Sequence, residues 1–239
     1  MRIVAHRGAS AVARENSVAA VEAAIAAGAD AIEMDARLSA DGIPHVSHDP
    51  DLTRLAGVDL AIATASAAQL AALRAPDGPP WVLPLGALME SVAGRLPIVV
   101  DVKIVGAAML HAIAAVAPRH GAMVIGVRDV SDTVAARQIL PHADVLGLLA
   151  DRDHAGPFAD AGGRIFRLWE DDATQTRIAA ARSAGLDVWV TAGVPRDAVA
   201  RRPGEITASG LHRIAALGVD GILVNDPAAA RAALGRGGA

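Results

Sequence analysis

Short apolar runs rich in β-branched residues alternate with alanine-rich segments of helical spacing along the whole chain. The runs predict eight strands, at residues 3–5, 31–36, 98–102, 123–127, 145–149, 164–168, 188–191 and 221–224. The intervening segments predict helices at residues 18–27, 85–92, 107–116, 132–140, 174–184, 211–217 and 227–234, with a further short helix near 157–161. Alternating strands and helices indicate parallel pairing. Eight such units in 239 residues predict a (β/α)8 TIM barrel rather than an open sheet.

One segment departs from this alternation. Residues 50–84 follow the His48-Asp49 pair and contain only a weak helical pattern, at residues 65–73. This stretch is too long for an ordinary strand-to-helix loop, so it predicts a small insertion after the second strand, over one mouth of the barrel. A second long connection, residues 192–209, is expected to form a further lid or rim. Apart from these, residues 1–239 are expected to form one domain.

Composition narrows the classes of protein that the chain can belong to. Hydrophobic residues make up 53% of the chain, enough for a large core, although aromatic residues make up only 2%. The formal net charge of -4 gives no basic surface for nucleic acid, and the absence of cysteine excludes disulfides and thiol chemistry. No apolar stretch is long enough to span a membrane and no secretory leader is visible, so a cytoplasmic protein is expected. A homodimer is compatible with these features.

Acidic residues lie at the ends of predicted strands. Glu33 and Asp35 are two apart on the second strand, so their side chains share one face, and Asp101 ends the third strand. The C-terminal ends of barrel strands meet at one mouth, where this fold places its active sites. Three carboxylates repel one another unless a cation neutralises them, and the lack of cysteine favours a hard cation, Mg²⁺ or Ca²⁺. The alternative is a structural network with Arg7 or Arg37 as counter-ion.

Basic and aromatic residues lie at the same strand ends. His6 and His48 each follow an apolar run, and two histidines at one mouth are candidates for a general acid and a general base. Arg7 would clamp a phosphate with its planar guanidinium. Lys103 is the only lysine among 22 lysines and arginines, which suggests a site that needs a compact ammonium, with chance as the alternative. Trp169 ends the sixth strand and is a candidate for one wall of a substrate pocket.

Two other prominent positions have structural interpretations. Trp189 lies inside the seventh predicted strand and is expected in the core. Asp226 precedes Pro227 at the start of the last predicted helix, where an aspartate is typical of an N-cap and a proline of the first helical position.

Four segments of the chain together resemble the glycerophosphodiester phosphodiesterase family. They are AHRGAS, the segment ENSVAAVEAAIAAGADAIEMDARLSADGIPHVSHDPDLTR, IVVDVK and GVDGILVNDP, and the resemblance runs from Met1 to about Ala233. The family implies a (β/α)8 barrel with an insertion after the His-Asp pair. It also implies an enzyme that uses a divalent cation to hydrolyse glycerophosphodiesters, releasing sn-glycerol 3-phosphate and an alcohol such as choline or ethanolamine.

By position, the resemblance assigns a role to each strand-end residue. It implies that His6 and His48 are the acid–base pair and that Arg7 binds phosphate. It also implies that three acids bind the metal, Glu33, Asp35 and Asp101, and that Lys103 neutralises the charge that develops on the phosphoryl oxygens. Three positions depart from the family: Asp101 stands where glutamate is usual, and Ser17 and Asn225 stand where threonine is common. The second half of the chain matches poorly, and this half is expected to shape the pocket for the leaving alcohol.

Several points stay open. The attacking group is either the glycerol 2-hydroxyl of the substrate or a water, and either histidine can be the base. One alternative is a related barrel phosphodiesterase for lysophospholipids or sphingolipids, which would need an exposed apolar rim such as one near residues 81–85. A barrel that only binds phosphodiesters or a partner protein is disfavoured by the complete set of histidines, acids and lysine. An aldolase using Lys103 is disfavoured by Asp101, which would keep the lysine charged.

Overall fold

Eight parallel strands close into a barrel in the computed structural model, which describes residues 1–92, 94–104, 106–118, 121–150, 154–194 and 202–236. The strands of the described chain are β1 (Arg2–Ala5), β2 (Ala31–Leu38), β3 (Pro44–His45), β4 (Ile98–Val102), β5 (Met123–Val127), β6 (Asp144–Gly147), β7 (Ile165–Trp169), β8 (Asp187–Thr191) and β9 (Gly221–Val224). All except β3 form the barrel, and β1 closes it by pairing with both β9 and β2. The predicted (β/α)8 barrel is confirmed.

Helices cover the outside of the barrel. The described helices are α1 (Val18–Ala26), α2 (Thr53–Ala56), α3 (Ala67–Ala72), α4 (Leu85–Val92), α5 (Ala107–Val116), α6 (Val130–Ile139), α7 (Ala155–Asp160), α8 (Gln175–Ser183), α9 (Ala208–Ala216) and α10 (Pro227–Ala233), with a 3₁₀ turn at Ile62–Thr64. Most bounds lie within two residues of those predicted. In the described part of the chain, no helix has the length and apolar character needed to cross a membrane.

The alternation of side chains along each strand produces two apolar layers. The larger layer lies between strands and helices and includes Met34 of β2 and Ile113 of α5. The smaller layer fills the inside of the barrel below its mouth and includes Val99, Leu223 and, as expected, Trp189. Because side chains alternate along β2, Met34 packs outward while its neighbours in sequence point into the barrel.

The insertion after β2 has its own small core. Leu52, Ile62, Ala65, Leu70 and Val82 are buried against one another there, separately from the barrel's apolar layers. Helix α3 begins with a capping box, in which Ser66 and Gln69 satisfy each other's backbone groups. Strand β3 was not predicted, because a pair of residues is too short to show a period of two. Of the 192–209 connection, residues 195–201 lie outside the described residues.

Gly8 sits where the chain passes closest to α1. Its φ is +78°, and a Cβ at this position would lie 2.7 Å from the backbone carbon of Ala20. We expect Gly8→Ala to lower the free energy of unfolding by more than about 2 kcal/mol, because backbone strain and overpacking add. Gly57→Ala is the matched control. The φ of Gly57 is +67°, but a Cβ there would meet no atom within 4 Å, so this variant carries the backbone strain without the overpacking. Equal losses in urea unfolding would contradict the steric part of this prediction.

Candidate active site

The three predicted metal ligands meet at the C-terminal mouth of the barrel. The parallel register of β2 and β4 places Asp35 directly beside Asp101. One carboxylate oxygen from each of Glu33, Asp35 and Asp101 lies within 4.8 Å of the others. Ligand oxygens on opposite sides of a Ca²⁺ ion, at about 2.3–2.6 Å each, are separated by a similar distance. The spacing and the all-oxygen donor set therefore fit a hard divalent cation.

Burial and mutual repulsion set the charges of this cluster. Burial raises the pKa of Glu33 well above its ordinary value, and the neighbouring charges of Asp35 and Asp101 raise it further. Burial acts in the same direction on Asp35, but Lys103 and Arg7 outweigh it and hold the pKa of Asp35 below its ordinary value. Glu33 is thus the carboxyl group of the cluster whose protonated form is favoured, and a bound cation would shift it to the ionised form.

Lys103 lies between two of the acids. Its Nζ is 2.5 Å from an oxygen of Asp35 and 2.5 Å from an oxygen of Asp101. Burial alone would lower the pKa of Lys103, but the charges of Asp35 and Asp101 raise it instead. The ammonium is therefore kept charged, and this agrees with a point charge rather than with a Schiff-base nucleophile.

The loop after β1 holds the acids of β2 through a strained backbone. In the part of the chain that the structure describes, Arg7 and Asn16 are the non-glycine residues with positive φ, at 60° and 54°. The backbone N–H of Arg7 donates to Glu33 Oε2 at 2.8 Å. Asn16 donates from Nδ2 to Asp35 Oδ2 at 2.8 Å and accepts from the Asp35 backbone N–H at 3.1 Å. These bonds fix both carboxylates in place and offset the cost of the strain.

The guanidinium of Arg7 faces the same cluster. Its Nε lies 3.2 Å from Asp35 Oδ2, and its NH1 donates to both oxygens of Glu15 at 3.2 Å. Arg37, the other counter-ion considered for the acids, instead donates two hydrogen bonds to the backbone carbonyl of His48, at 3.0 and 2.7 Å. Of these two arginines, Arg7 therefore contacts the acidic cluster, and Arg37 holds the backbone at His48.

His6 is held by a side chain from the far end of the chain. Its Nδ1 lies 2.7 Å from Asn225 Oδ1, and Asn225 Nδ2 donates to the Pro203 carbonyl at 3.0 Å, which fixes the amide orientation. With Oδ1 as the acceptor, Nδ1 of His6 carries the hydrogen and Nε2 keeps its lone pair. Burial and, next, the charge of Arg7 lower the pKa of His6 to about 4. The imidazole is thus neutral near pH 7.

His48 is paired with a carboxylate instead. Its Nδ1 lies 2.8 Å from Asp49 Oδ1, and Arg54 of the insertion donates from Nε to the other Asp49 oxygen. The same Arg54 donates to Glu15 Oε1 at 2.5 Å, and Glu15 in turn binds Arg7. Burial lowers the pKa of His48 despite the opposing charge of Asp35. Arg54 of the insertion therefore connects His48, through Asp49, with Arg7, through Glu15.

Two clefts share His6 and Arg7 in their lining. One is about 120 Å³ and lies inside the mouth of the barrel, where its polar lining includes Glu33, His48, Asp101 and Lys103. Towards β5–β8 the same cleft is lined by apolar residues and by Arg128, Arg167 and Trp169. The other is about 630 Å³ and runs towards α1 and the insertion. Its lining includes Ser10, Glu15, Arg54, Arg202, Glu205 and Asn225. Trp169, predicted as one wall of a substrate pocket, lines the first cleft.

The sequence analysis missed five residues of this site. Arg128 directly follows β5, and it gave the same signal as Asp101, a charged side chain at the end of an apolar run. The others support the predicted residues through bonds between distant parts of the chain, and they are Glu15, Asn16, Arg54 and Arg167. Asn225 was noted only as a departure from the family, and its bond to His6 spans 219 positions. No local pattern could reveal that pairing.

Comparison with known proteins gives a partial sequence match and a complete structural one. Residues 6–101 match the glycerophosphoryl diester phosphodiesterase family. Lysophospholipase D GDPD3 of Mus musculus is 44% identical over 59 residues, which are 25% of this chain and 18% of that protein. The chain therefore aligns with less than a fifth of that relative's length.

Two solved structures share the whole barrel. A phosphodiesterase of Oleispira antarctica, in complex with the product sn-glycerol-3-phosphate, has a TM-score of 0.81 at 18% identity, covering 98% of this chain and 97% of that one. The glycerophosphodiester phosphodiesterase of Thermotoga maritima has a TM-score of 0.76 at 22% identity, covering 96% of both chains. The family match thus covers residues 6–101, and the two solved structures show that the whole chain has the same barrel fold as these proteins.

Proposed function

We propose that this protein hydrolyses glycerophosphodiesters to sn-glycerol 3-phosphate and an alcohol, with Mg²⁺ or Ca²⁺ bound by Glu33, Asp35 and Asp101. The observation that carries the proposal is the cluster of three carboxylate oxygens within 4.8 Å, with His6 and His48 lining the same cleft. A bound cation would polarise the phosphoryl oxygens. The match of residues 6–101 supports the reaction class. The product complex of the Oleispira antarctica protein supports the substrate class.

Arg7 and Lys103 would hold the phosphodiester at this cluster. The guanidinium of Arg7 suits two phosphoryl oxygens at once, and the Lys103 ammonium supplies a compact charge beside them. Both side chains are fixed by carboxylates, Arg7 by Glu15 and Asp35 and Lys103 by Asp35 and Asp101. They are therefore in place before the substrate binds, so little ordering has to accompany the reaction.

The hydrogen bonds of the two histidines assign their roles. His6 is protonated on Nδ1, so its Nε2 can take the proton of the attacking hydroxyl, which is the glycerol 2-hydroxyl or a water. His48 has a carboxylate on Nδ1. The hydrogen bond to Asp49 opposes the burial that lowers the pKa of His48, and it stabilises the imidazolium form that a general acid needs. His48 would then give its Nε2 proton to the oxygen of the departing alcohol. We therefore propose His6 as the base and His48 as the acid.

The apolar rim expected for a lysophospholipid substrate is not present at residues 81–85. None of these five residues is exposed. The guanidinium of Arg14 covers the ring of Trp81 at 5.3 Å, and Val82 belongs to the core of the insertion. Residues 81–85 therefore give no support to a lysophospholipid substrate. The cytoplasmic location and the homodimer stay predictions.

The test is the release of sn-glycerol 3-phosphate from glycerophosphoglycerol and glycerophosphocholine by protein stripped with EDTA. We expect no release from the stripped protein and recovery on adding Mg²⁺ or Ca²⁺, because the acidic cluster needs the added charge. A folded sample that releases none with either cation would contradict the proposal. Faster cleavage of lysophosphatidylcholine than of both diesters would favour the lysophospholipid alternative.

A further inference from the structure

The two clefts that meet at His6 and Arg7 differ in chemistry, and a phosphodiester has two arms to place in them. The cleft towards α1 offers a mixture of hydroxyl, carboxylate, amide and guanidinium groups, from Ser10, Glu15, Glu205, Asn225, Arg54 and Arg202. Such a mixture of donors and acceptors suits the hydroxyls of a neutral polyol. The glycerol arm therefore fits this cleft, and the leaving alcohol fits the other one.

The leaving-alcohol cleft carries arginines from two strands. Arg128 follows β5 and Arg167 lies on β7, and both line this cleft. The NH2 group of Arg128 donates to Asp101 Oδ1 at 2.7 Å, and its side chain is still 42% exposed. A guanidinium has five N–H donors, so one bond to Asp101 leaves further donors for a ligand in the cleft. Arg128 is thus both anchored and accessible.

The aromatic residue of this cleft is already paired with a cation. The guanidinium carbon of Arg167 lies 4.4 Å from the centre of the Trp169 ring. An indole face attracts ammonium groups, including those of choline and ethanolamine, when it is open to them. On the face that Arg167 covers, a cationic alcohol would meet a guanidinium instead and be repelled. The cleft therefore opposes the alcohols that the family resemblance first suggested.

We propose that this cleft selects diesters whose leaving alcohol carries a negative charge, a carboxylate or a phosphate, and that Arg128 determines this specificity by binding that group. The inference rests on the proposed function and names its substrate class. Arg128 makes a charge-assisted bond to the alcohol arm, away from the reacting atoms. It therefore changes which diester is preferred.

The experiment compares three diesters of sn-glycerol 3-phosphate that differ in the charge of one arm. The alcohols are choline, its neutral isostere 3,3-dimethylbutanol and the anionic 4-hydroxybutanoate. For the wild type with Mg²⁺ or Ca²⁺, we expect kcat/KM to be highest for the anionic diester, by about tenfold over the neutral one, as for one charge-assisted bond. The choline diester should be the poorest of the three.

Variants of Arg128 should change that order. In Arg128→Gln, the ratio of kcat/KM for the anionic and neutral diesters should fall about tenfold, the loss of one charge-assisted bond. Arg128→Lys should restore part of the ratio, because it keeps the charge. Arg164→Gln is the matched control: Arg164 is an exposed arginine that pairs with Asp187 at 3.5 Å, where β7 and β8 begin. That variant should leave the ratio as in the wild type.

Three outcomes would overturn the inference. If the wild type prefers choline over its neutral isostere, the cleft is not selective for anions. If Arg128→Gln lowers kcat/KM equally for all three diesters, Arg128 acts only through Asp101. If the wild type with added cation turns over none of the three, the proposed function falls, and this inference falls with it. The first two outcomes leave turnover intact, so the two failures are distinguishable.

Discussion

Glu33→Gln should abolish metal-dependent turnover and at the same time make the metal-free protein more stable. Glutamine keeps the shape of the side chain and an oxygen to accept the Arg7 backbone hydrogen bond, but it cannot become the third anionic ligand. We expect turnover to fall by about 10³-fold or more, because Lewis-acid stabilisation of the transition state is worth several kcal/mol. The loss would be measured as sn-glycerol 3-phosphate release with saturating Mg²⁺ or Ca²⁺.

The gain in stability follows from the raised pKa of Glu33. Burial, with help from Asp35 and Asp101, makes the folded protein bind a proton that the unfolded chain has already lost above pH 4.5. The folded protein therefore loses stability as the pH rises from 4.5 through the raised pKa, and glutamine removes this loss. In urea unfolding with EDTA, the variant should exceed the wild type at pH 8, and the difference should shrink towards pH 5.

A matched control separates this effect from a general loss of acidic charge. Glu22 on α1 is exposed and pairs with Arg95, so Glu22→Gln removes a carboxylate without touching the cluster. That variant should keep its turnover and show no gain in stability at pH 8. If Glu33→Gln kept metal-restored activity, Glu33 would not be a ligand. A less stable Glu33→Gln protein would show that the cluster stabilises the fold without a cation.

His6→Asn and His48→Asn should each lower kcat/KM for glycerophosphoglycerol by about 10² to 10⁴-fold, the usual contribution of a general acid or base. A diester with p-nitrophenol as the leaving alcohol should separate the two roles. Its departing p-nitrophenolate needs no proton, so His48→Asn should lose less than about tenfold on it, whereas His6→Asn should lose as much as before. The opposite pattern would exchange the two roles.

The control and the pH profile make this assignment sharper. His111 lies on the exposed side of α5, so His111→Asn should leave both substrates unaffected. Burial and the charge of Arg7 lower the pKa of His6 to about 4, so the base should stay neutral on acidification from pH 6.5 to pH 5. Between pH 6.5 and pH 5, protonation of His6 should therefore not lower kcat/KM. A base with an ordinary histidine pKa near 6.5 would lose kcat/KM over the same range.

The barrel could be predicted because its signal is repeated and local. Parallel strands are covered on both faces, so each reads as a continuous β-branched run, and each helix between them has its own period. The site followed from the same pattern, since charged residues at strand ends must meet at the mouth. Glu33, Asp35 and Asp101 meet there, as predicted, because β2 and β4 are neighbours in register.

The parts that could not be predicted depend on pairings between distant segments. The contact of His6 with Asn225 joins the first and last strand ends, and the contacts of Arg54 join the insertion to Glu15 and Asp49. Residues 81–85 could have formed the apolar rim that the lysophospholipid alternative needs, and composition alone does not show that Arg14 covers Trp81. Which cation lies against which aromatic ring is decided by tertiary packing.

Arg54 has a consequence for how the protein would lose its site on heating. It holds Asp49 and Glu15 together, yet it belongs to an insertion whose core has only five fully buried apolar residues. So small a core opens more readily than the barrel's large outer layer, and it can open by itself. Opening would release His48 and Arg7 from their supports while every barrel strand stayed paired. We therefore expect the arrangement of His48 and Arg7 to be lost at a temperature set by the insertion, below the melting temperature of the barrel.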